Sequence, residues 1–213
     1  MTTESTAVLP GAIAEQLRAR IIAQLEAPGS TITESAVAVR FGVARPTARI
    51  AIERLVADGI LRREAHRAAR VPELGRDDIV DLYTTRAIVE GAAAARLASG
   101  GTISARALEA HRALSTTDEF APHDIAFHRS LVEGQDSPRL AHLHGLLMGE
   151  VELCIGQVQA AHLLTTAEVA AQHQGILDAI TAGDAATAER LTREHIEFSR
   201  DALLTHLDRK THG

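Results

Sequence analysis

The chain of 213 residues has no tryptophan, one tyrosine and four phenylalanines, so aromatic residues make up only 2% of it. Its apolar content is nevertheless 46%, too high for a disordered chain. A core without large rings has to be built from Ala, Leu, Ile and Val, a composition that suits helices. The single cysteine, Cys154, excludes an intrachain disulfide and is compatible with a reducing compartment. No uninterrupted apolar run reaches the roughly 18 residues that a membrane span requires. The opening residues show no basic region followed by an apolar stretch, so no secretory signal is expected. The expectation is a cytoplasmic protein, without a membrane partner, of one large or two small domains.

Charge divides the chain. Residues 1–72 carry 10 Arg against 7 acidic residues, a net of +3, whereas residues 73–213 carry 12 basic against 21 acidic residues, a net of −9. Between residues 40 and 70 there are 8 Arg against Glu53, Asp58 and Glu64. Ten of the 11 histidines fall in the second part, with only His66 in the first. A basic patch confined to one end of an acidic protein points to a polyanion partner at that end.

The hydrophobic spacing predicts elements in order. Ile13, Leu17, Ile21 and Leu25 recur every four positions and predict a helix over 11–27, ended by Pro28 and Gly29. A short helix is expected from a Thr33 cap to Phe41, and a third from Arg45 to Asp58 with Ala48, Ile52, Leu55 and Val56 inward; Gly42 and Gly59 follow them as stops. Ile60 to Arg63 reads as a strand, with Arg70 and Val71 as its return. This is the order of a winged helix-turn-helix. Pro72 to Gly75 is the expected boundary, giving a DNA-binding domain over 1–72 and a second domain over 76–213. Helices near 77–99, 103–115, 120–133, 137–160, 165–182 and 184–207, joined by short links, predict an antiparallel six-helix bundle. The fold class is mostly α.

Arg45 and Arg49 lie four apart, off the apolar stripe of the third helix and at its N-terminus, where the helix dipole favours phosphate. Arginine is suited to guanine edges and to phosphate; on spacing alone, a solvated cationic face is an equal alternative. The whole run from Gly42 through Val43, Ala44, Arg45, Pro46, Thr47, Ala48 and Arg49 to Leu55, Gly59 and Ile60 resembles the GntR family of bacterial regulators, in its FadR-like branch. That resemblance implies operator contacts from Arg45, Thr47 and Arg49, with His66 and Arg67 of the wing as further candidates. It departs from the family pattern at Ala44, where a Ser cap is usual, in the order of Pro46 and Thr47, and in the absence of a glycine at the wing tip.

In the second domain, polar residues interrupt apolar stripes. Asp124 falls between Phe120, Phe127 and Leu131, with His128 beside it. His173 falls between Val169, Ile176, Leu177 and Ile180. His195 falls among Ala188, Leu191, Phe198 and Ala202. A buried carboxylate and three imidazoles would be mutually satisfied by one divalent cation; separate core histidines are the alternative. Zinc is the expected ion, with nickel or manganese also compatible. Of the remaining histidines, His142, His144 and His162 read as surface or packing residues, His111, His206 and His212 as solvated, and His123, adjoining Asp124, as a candidate to support the ligands from behind. The Asp124–His128 pair followed by His173 and His195 is similar to the metal pattern of the FCD effector domain, and six helices resemble its VanR-type subgroup.

Arg86 breaks the stripe Ile79, Leu82, Val89, Ala93 and Leu97. A buried guanidinium needs an anion. The candidates are an internal pair with Glu90 or Asp124, or a small carboxylate effector lying beside the metal, as the family resemblance implies. The reading that follows is a homodimeric repressor of double-stranded operator DNA, released by a carboxylate. A metal sensor and a metal-dependent hydrolase remain as alternatives.

Overall fold

A computed structural model describes residues 9–65, 67–100 and 102–211. The chain forms two compact units, Met1–Glu73 and Leu74–Gly213.

In the first unit, α1 (Pro10–Ile22) buries Ile13, Ala14, Leu17 and Ile21. The helix ends five residues earlier than its apolar spacing predicts. It ends in a Schellman motif, with Leu25 N–H donating to Arg20 C=O and Gln24 N–H to Ile21 C=O. The left-handed position, where glycine is usual, is taken by Gln24 at φ 58°. Leu25 is therefore 62% exposed rather than part of the core. A short strand β1 (Thr31–Ile32) leads to α2 (Glu34–Phe41), capped by the Thr33 hydroxyl accepting from Ala36 N–H. Gly42, at φ 63°, makes the left-handed turn into α3 (Arg45–Ala57), whose buried residues are Ala48, Ala51, Ile52 and Leu55. Val56 is only partly buried.

The expected hairpin of residues 60–71 takes a different form. Residues 60–63 contribute one antiparallel bridge, Arg62 to Arg70. The strand β2 (Ala69–Arg70) pairs mainly with β1, Thr31 opposite Arg70 and Ile32 opposite Ala69. A two-residue strand has no period to read, and so β1 escapes detection by alternation. His66, a wing candidate, lies outside the described residues.

The second unit consists of α4 (Arg76–Gly100), α5 (Ala105–Ala113) with a 3-10 turn at Leu114–Thr116, α6 (Ala121–Glu133), α7 (Pro138–Ala160), α8 (Thr166–Thr181) and α9 (Ala185–Thr211). Their starts are written in the sequence. Ser104, Ser137 and Thr165 accept backbone N–H bonds as N-caps, and Thr165 with Glu168 forms a capping box. Phe127, Leu131, Ile176, Leu177 and Ile180 pack with Ala94, Leu97 and Ala188 into one core. The two longest helices, α4 and α9, lie against each other. A Cβ added at Gly91 would sit 3.1 Å from Arg193 Cγ and 3.2 Å from Glu189 Cγ, so glycine permits their close approach. Among the described residues no helix is long and apolar enough to cross a membrane.

The α9 stripe is rotated from expectation, and the α4 stripe is wider than expected. On α9 the buried residues are Ala188, Thr192, His195, Ile196, Ser199, Leu203 and Leu204, while Phe198 is 48% exposed. On α4, Ile79, Leu82, Arg86, Ala93 and Leu97 are buried as expected with Val89 at the edge, and Tyr83, Ala87 and Glu90 are buried beside them.

Candidate metal centre and nucleic-acid interface

In the first unit, Arg45 and Arg49 are exposed on α3, and Thr47 between them is half-buried. Arg45 Nη2 donates to Ser35 Oγ on α2 at 2.6 Å. Arg49 Nε donates to Glu53 Oε1 at 2.7 Å and stands 4.0 Å from Glu34. These carboxylates reinforce its positive charge, with the Glu53 hydrogen bond the largest contribution. Ala44 supplies no side-chain cap, as its sequence implies. Arg67 is exposed and paired with Glu64 at 3.2 Å. Pairs this open to water contribute little to stability and yield readily to a phosphate or a base edge.

In the second unit, the four stripe-breaking residues come together. Asp124 and His128 stand one turn apart on α6, His173 comes from α8 and His195 from α9; all four are buried. One ligand atom from each lies within 4.8 Å of the others. Asp124 Oδ1 is 3.5 Å from His128 Nε2, 3.1 Å from His173 Nε2 and 3.6 Å from His195 Nε2. His128 Nε2 and His195 Nε2 are 3.0 Å apart. Ligands bonded at about 2.0–2.2 Å to one ion stand about 3.0–3.6 Å from one another in octahedral or tetrahedral arrangements.

The buried atoms fit a cation in a second way. Asp124 Oδ1 and His173 Nε2 are sealed from solvent and form no hydrogen bond, although they face each other. Such orphans are costly in a protein interior unless something else satisfies them. The far ring nitrogens are held from behind. His195 Nδ1 meets Gln172 Oε1 at 2.6 Å, an acceptor that puts the proton on Nδ1 and leaves Nε2 as the donor atom. His128 Nδ1 stands 2.5 Å from Glu90 Oε2. The His173 ring stacks on Phe127, centroids 3.8 Å apart, which fixes its plane.

Electrostatics separate the ligands. Burial pushes His173 down to about 3 and also lowers His195, so both are neutral near pH 7. Burial is the largest influence on His128 and opposes its charge, but the Glu90 and Asp124 carboxylates together overcome it and raise the pKa. Asp124 is held well below the usual carboxylate range, its burial being overcome by His128, His173 and His195. Cys154 is buried nearby in sequence on α7, and burial pushes its thiol up to about 12, an unreactive state.

Arg86 takes the internal option. Its side chain is 1% exposed, and Nε donates to Glu90 Oε1 at 3.0 Å. Its Nη2 is buried without a partner. Sequence reasoning missed His144, which is 2% exposed and stands 2.9 Å from Glu90 Oε1. The signal was present: His144 breaks the buried series Met148, Val151, Ile155 and Val158 on α7, as Asp124 does on α6. Gln172, half-buried beside His173, carried no such signal. His111, expected to be solvated, is partly buried and bonded to Gln174 at 2.9 Å.

Comparison with known proteins agrees with both units. The FCD domain family matches residues 81–198, and the bacterial regulatory proteins of the gntR family match residues 9–71. A probable D-xylose utilization operon transcriptional repressor of Paenarthrobacter nicotinovorans is 28% identical over 195 residues, covering 86% of this chain and 85% of the relative. A GntR transcriptional regulator from Rhodococcus sp. RHA1 superposes with a TM-score of 0.75 at 25% identity, over 92% of this chain and 97% of that one. McbR/YncC of E. coli shares the fold, with a TM-score of 0.74 at 18% identity over 95% of this chain and 100% of its own. These families are regulators and not enzymes, which removes the hydrolase alternative. The chain belongs to the GntR family of bacterial transcription regulators, with an FCD domain following its helix-turn-helix.

Proposed function

We propose that this regulator is a repressor that binds a pseudo-palindromic operator as a homodimer and is released by a small carboxylate bound beside a divalent ion. The observation that carries the reading is the buried cluster of Asp124, His128, His173 and His195. Three imidazoles and one carboxylate suit zinc, with nickel and manganese as the competing ions. The ion would join three helices and present an open coordination position to an anion. Asp124, Glu90, Arg86 and a dication sum to one positive charge, which a single carboxylate would neutralise. Arg86 Nη2 is a donor available to it.

Arg45, Thr47 and Arg49 would read the operator from α3, with Arg67 reaching the backbone from the wing. Exposed Leu143 and Leu146 on α7 and Ile88 on α4, two helices in contact, offer apolar surface to a second copy. The Paenarthrobacter relative is by name a repressor, which supports the sign of regulation. A DNA-binding regulator works where the chromosome lies, in the cytoplasm.

The effector is tested by a thermal-shift screen of small organic acids on wild type and Arg86→Ala, followed by operator binding. A carboxylate that stabilises wild type more than the variant and weakens operator binding about 5–150-fold is expected. Equal stabilisation of both proteins contradicts the placement at Arg86. D-xylose belongs in the same screen because of the relative's name, and a response to it alone would replace the carboxylate. A change in operator affinity with metal alone would make the protein a metal sensor.

Metal binding should depend on pH through one proton. His173 and His195 are already neutral near pH 7, whereas His128, raised by the carboxylates beside it, is the first of the three to take up a second proton as pH falls, on the Nε2 that the ion needs. Below the raised value of His128, affinity should fall about tenfold per pH unit. Isothermal titration in buffers of different ionisation enthalpy counts the protons released. A count near three, or a flat profile between pH 5 and 7, would contradict a raised His128 beside neutral His173 and His195.

A further inference from the structure

The metal reading leaves one fully buried carboxylate without a role. Glu90 is 0% exposed on α4 and belongs to none of the four ligand positions. We propose that Glu90 is a positioning residue for the centre: it accepts the Nδ1 proton of His128, so that Nε2 stays open to the ion, and Arg86 and His144 lock it in that orientation.

This inference rests on the proposed metal site, but its geometry stands independently. The two carboxylate oxygens of Glu90 face different ways. Oε1 accepts from Arg86 Nε at 3.0 Å and meets His144 Nε2 at 2.9 Å. Oε2 stands 2.5 Å from His128 Nδ1, a close contact outside regular hydrogen-bond geometry, and neither of those two atoms has any other partner. The opposite nitrogen of His128 points at Asp124 and His195. An imidazole with a carboxylate behind one nitrogen presents the other as a lone pair, and a partner of this kind raises its basicity toward a metal. Burial alone would push the Glu90 carboxyl up, but Arg86, His128 and His144 together hold it well below the usual range, so it remains an acceptor.

Arg86 makes the arrangement specific to a carboxylate. In a Glu90→Gln protein, the side-chain amide has one oxygen and one NH2 group. Arg86 has no acceptor, so it forces the oxygen toward itself and His144. The NH2 then faces His128 Nδ1 and can only donate to it. His128 would have to move its proton to Nε2, where the ion binds. The flipped amide would restore His128 but set NH2 against the Arg86 guanidinium. Each orientation disables one half of the network, although shape and volume are nearly unchanged.

The test uses the full-length chain. Zinc affinity is measured by competition with a chromophoric chelator for wild type and Glu90→Gln, with circular dichroism to confirm helix content. The tautomer of His128 is read from imidazole 15N shifts in the zinc-bound protein and in metal-free protein at alkaline pH. Glu90→Gln should bind zinc about 10–100-fold more weakly. Wild-type His128 should carry its proton on Nδ1, and the variant should move it to Nε2. Equal zinc affinity in a folded variant, or an Nε2–H tautomer in metal-free wild type, would overturn the role given to Glu90 while leaving the metal site in place. A wild type that takes up no zinc overturns the metal reading instead, and the metal-free tautomer still decides whether Glu90 orients His128. If Glu90→Gln fails to fold, the wild-type tautomer decides the matter, and Glu90→Asp gives the affinity comparison with charge kept and reach shortened.

Discussion

Replacing His173 with alanine is expected to leave well under one ion per chain and to lower the melting temperature. His173 supplies one of the four converging ligand atoms, and its ring is also pinned against Phe127. With the ion at a thousandfold excess over its Kd, binding stabilises the folded state by about 4 kcal/mol, and at about 2–4 °C per kcal/mol the loss amounts to roughly 8–16 °C. Removing a buried ring also leaves a cavity, so a lower melting temperature is not by itself diagnostic. The diagnostic is the response to a chelator: wild type should lose stability when stripped, and His173→Ala should be nearly insensitive. If the variant keeps a full ion and the same chelator response as wild type, His173 is not a ligand.

Arg49→Ala should lose operator binding by about 1–3 kcal/mol, about 5–150-fold, if its guanidinium reads a base. In the free protein Arg49 is held by Glu53 at 2.7 Å, with Glu34 at 4.0 Å. Both contacts are open to water and would be exchanged for DNA on binding. A base-reading arginine is distinguished from a phosphate-binding one by where the loss falls. Mutating the base it reads should weaken wild type but leave Arg49→Ala almost unaffected, whereas a phosphate contact would lower affinity uniformly and reduce the salt dependence. Titration should saturate at two chains per palindromic site. Unchanged operator affinity in Arg49→Ala at matched salt would contradict the placement of the recognition helix.

How far the sequence could be read depended on the length of each element. The helices of the second unit, including α4 and α9, span enough turns for a 3.6-residue pattern to emerge, and polar interruptions within that pattern located Asp124, His128, His173 and His195 together. The same reasoning applied to α7 would have found His144, buried in series with Met148 and Val151. The α9 stripe was misplaced because Phe198 is apolar by type but lies toward solvent and Leu191 only flanks the core, while Thr192 and Ser199 are polar and buried. The Thr192 hydroxyl satisfies itself on the carbonyl of Ala188 within its own helix, so burying it carries little penalty. The early end of α1 was hidden because Gln24 occupies a conformation that normally announces itself as glycine. Glu90 was visible as the neighbour of Arg86 one turn away. Its reach to His128 and His144 was not, because those contacts join helices distant in sequence.

Elemental analysis of the purified wild-type chain, prepared without added chelator, tests the central claim most directly. The convergence of four buried ligand atoms, two of them orphaned without a cation, predicts about one divalent ion per chain, with zinc as the main element and lost on acidification. A preparation with no stoichiometric metal that also fails to take up zinc, nickel or manganese at neutral pH would contradict the metal centre and the effector mechanism built on it.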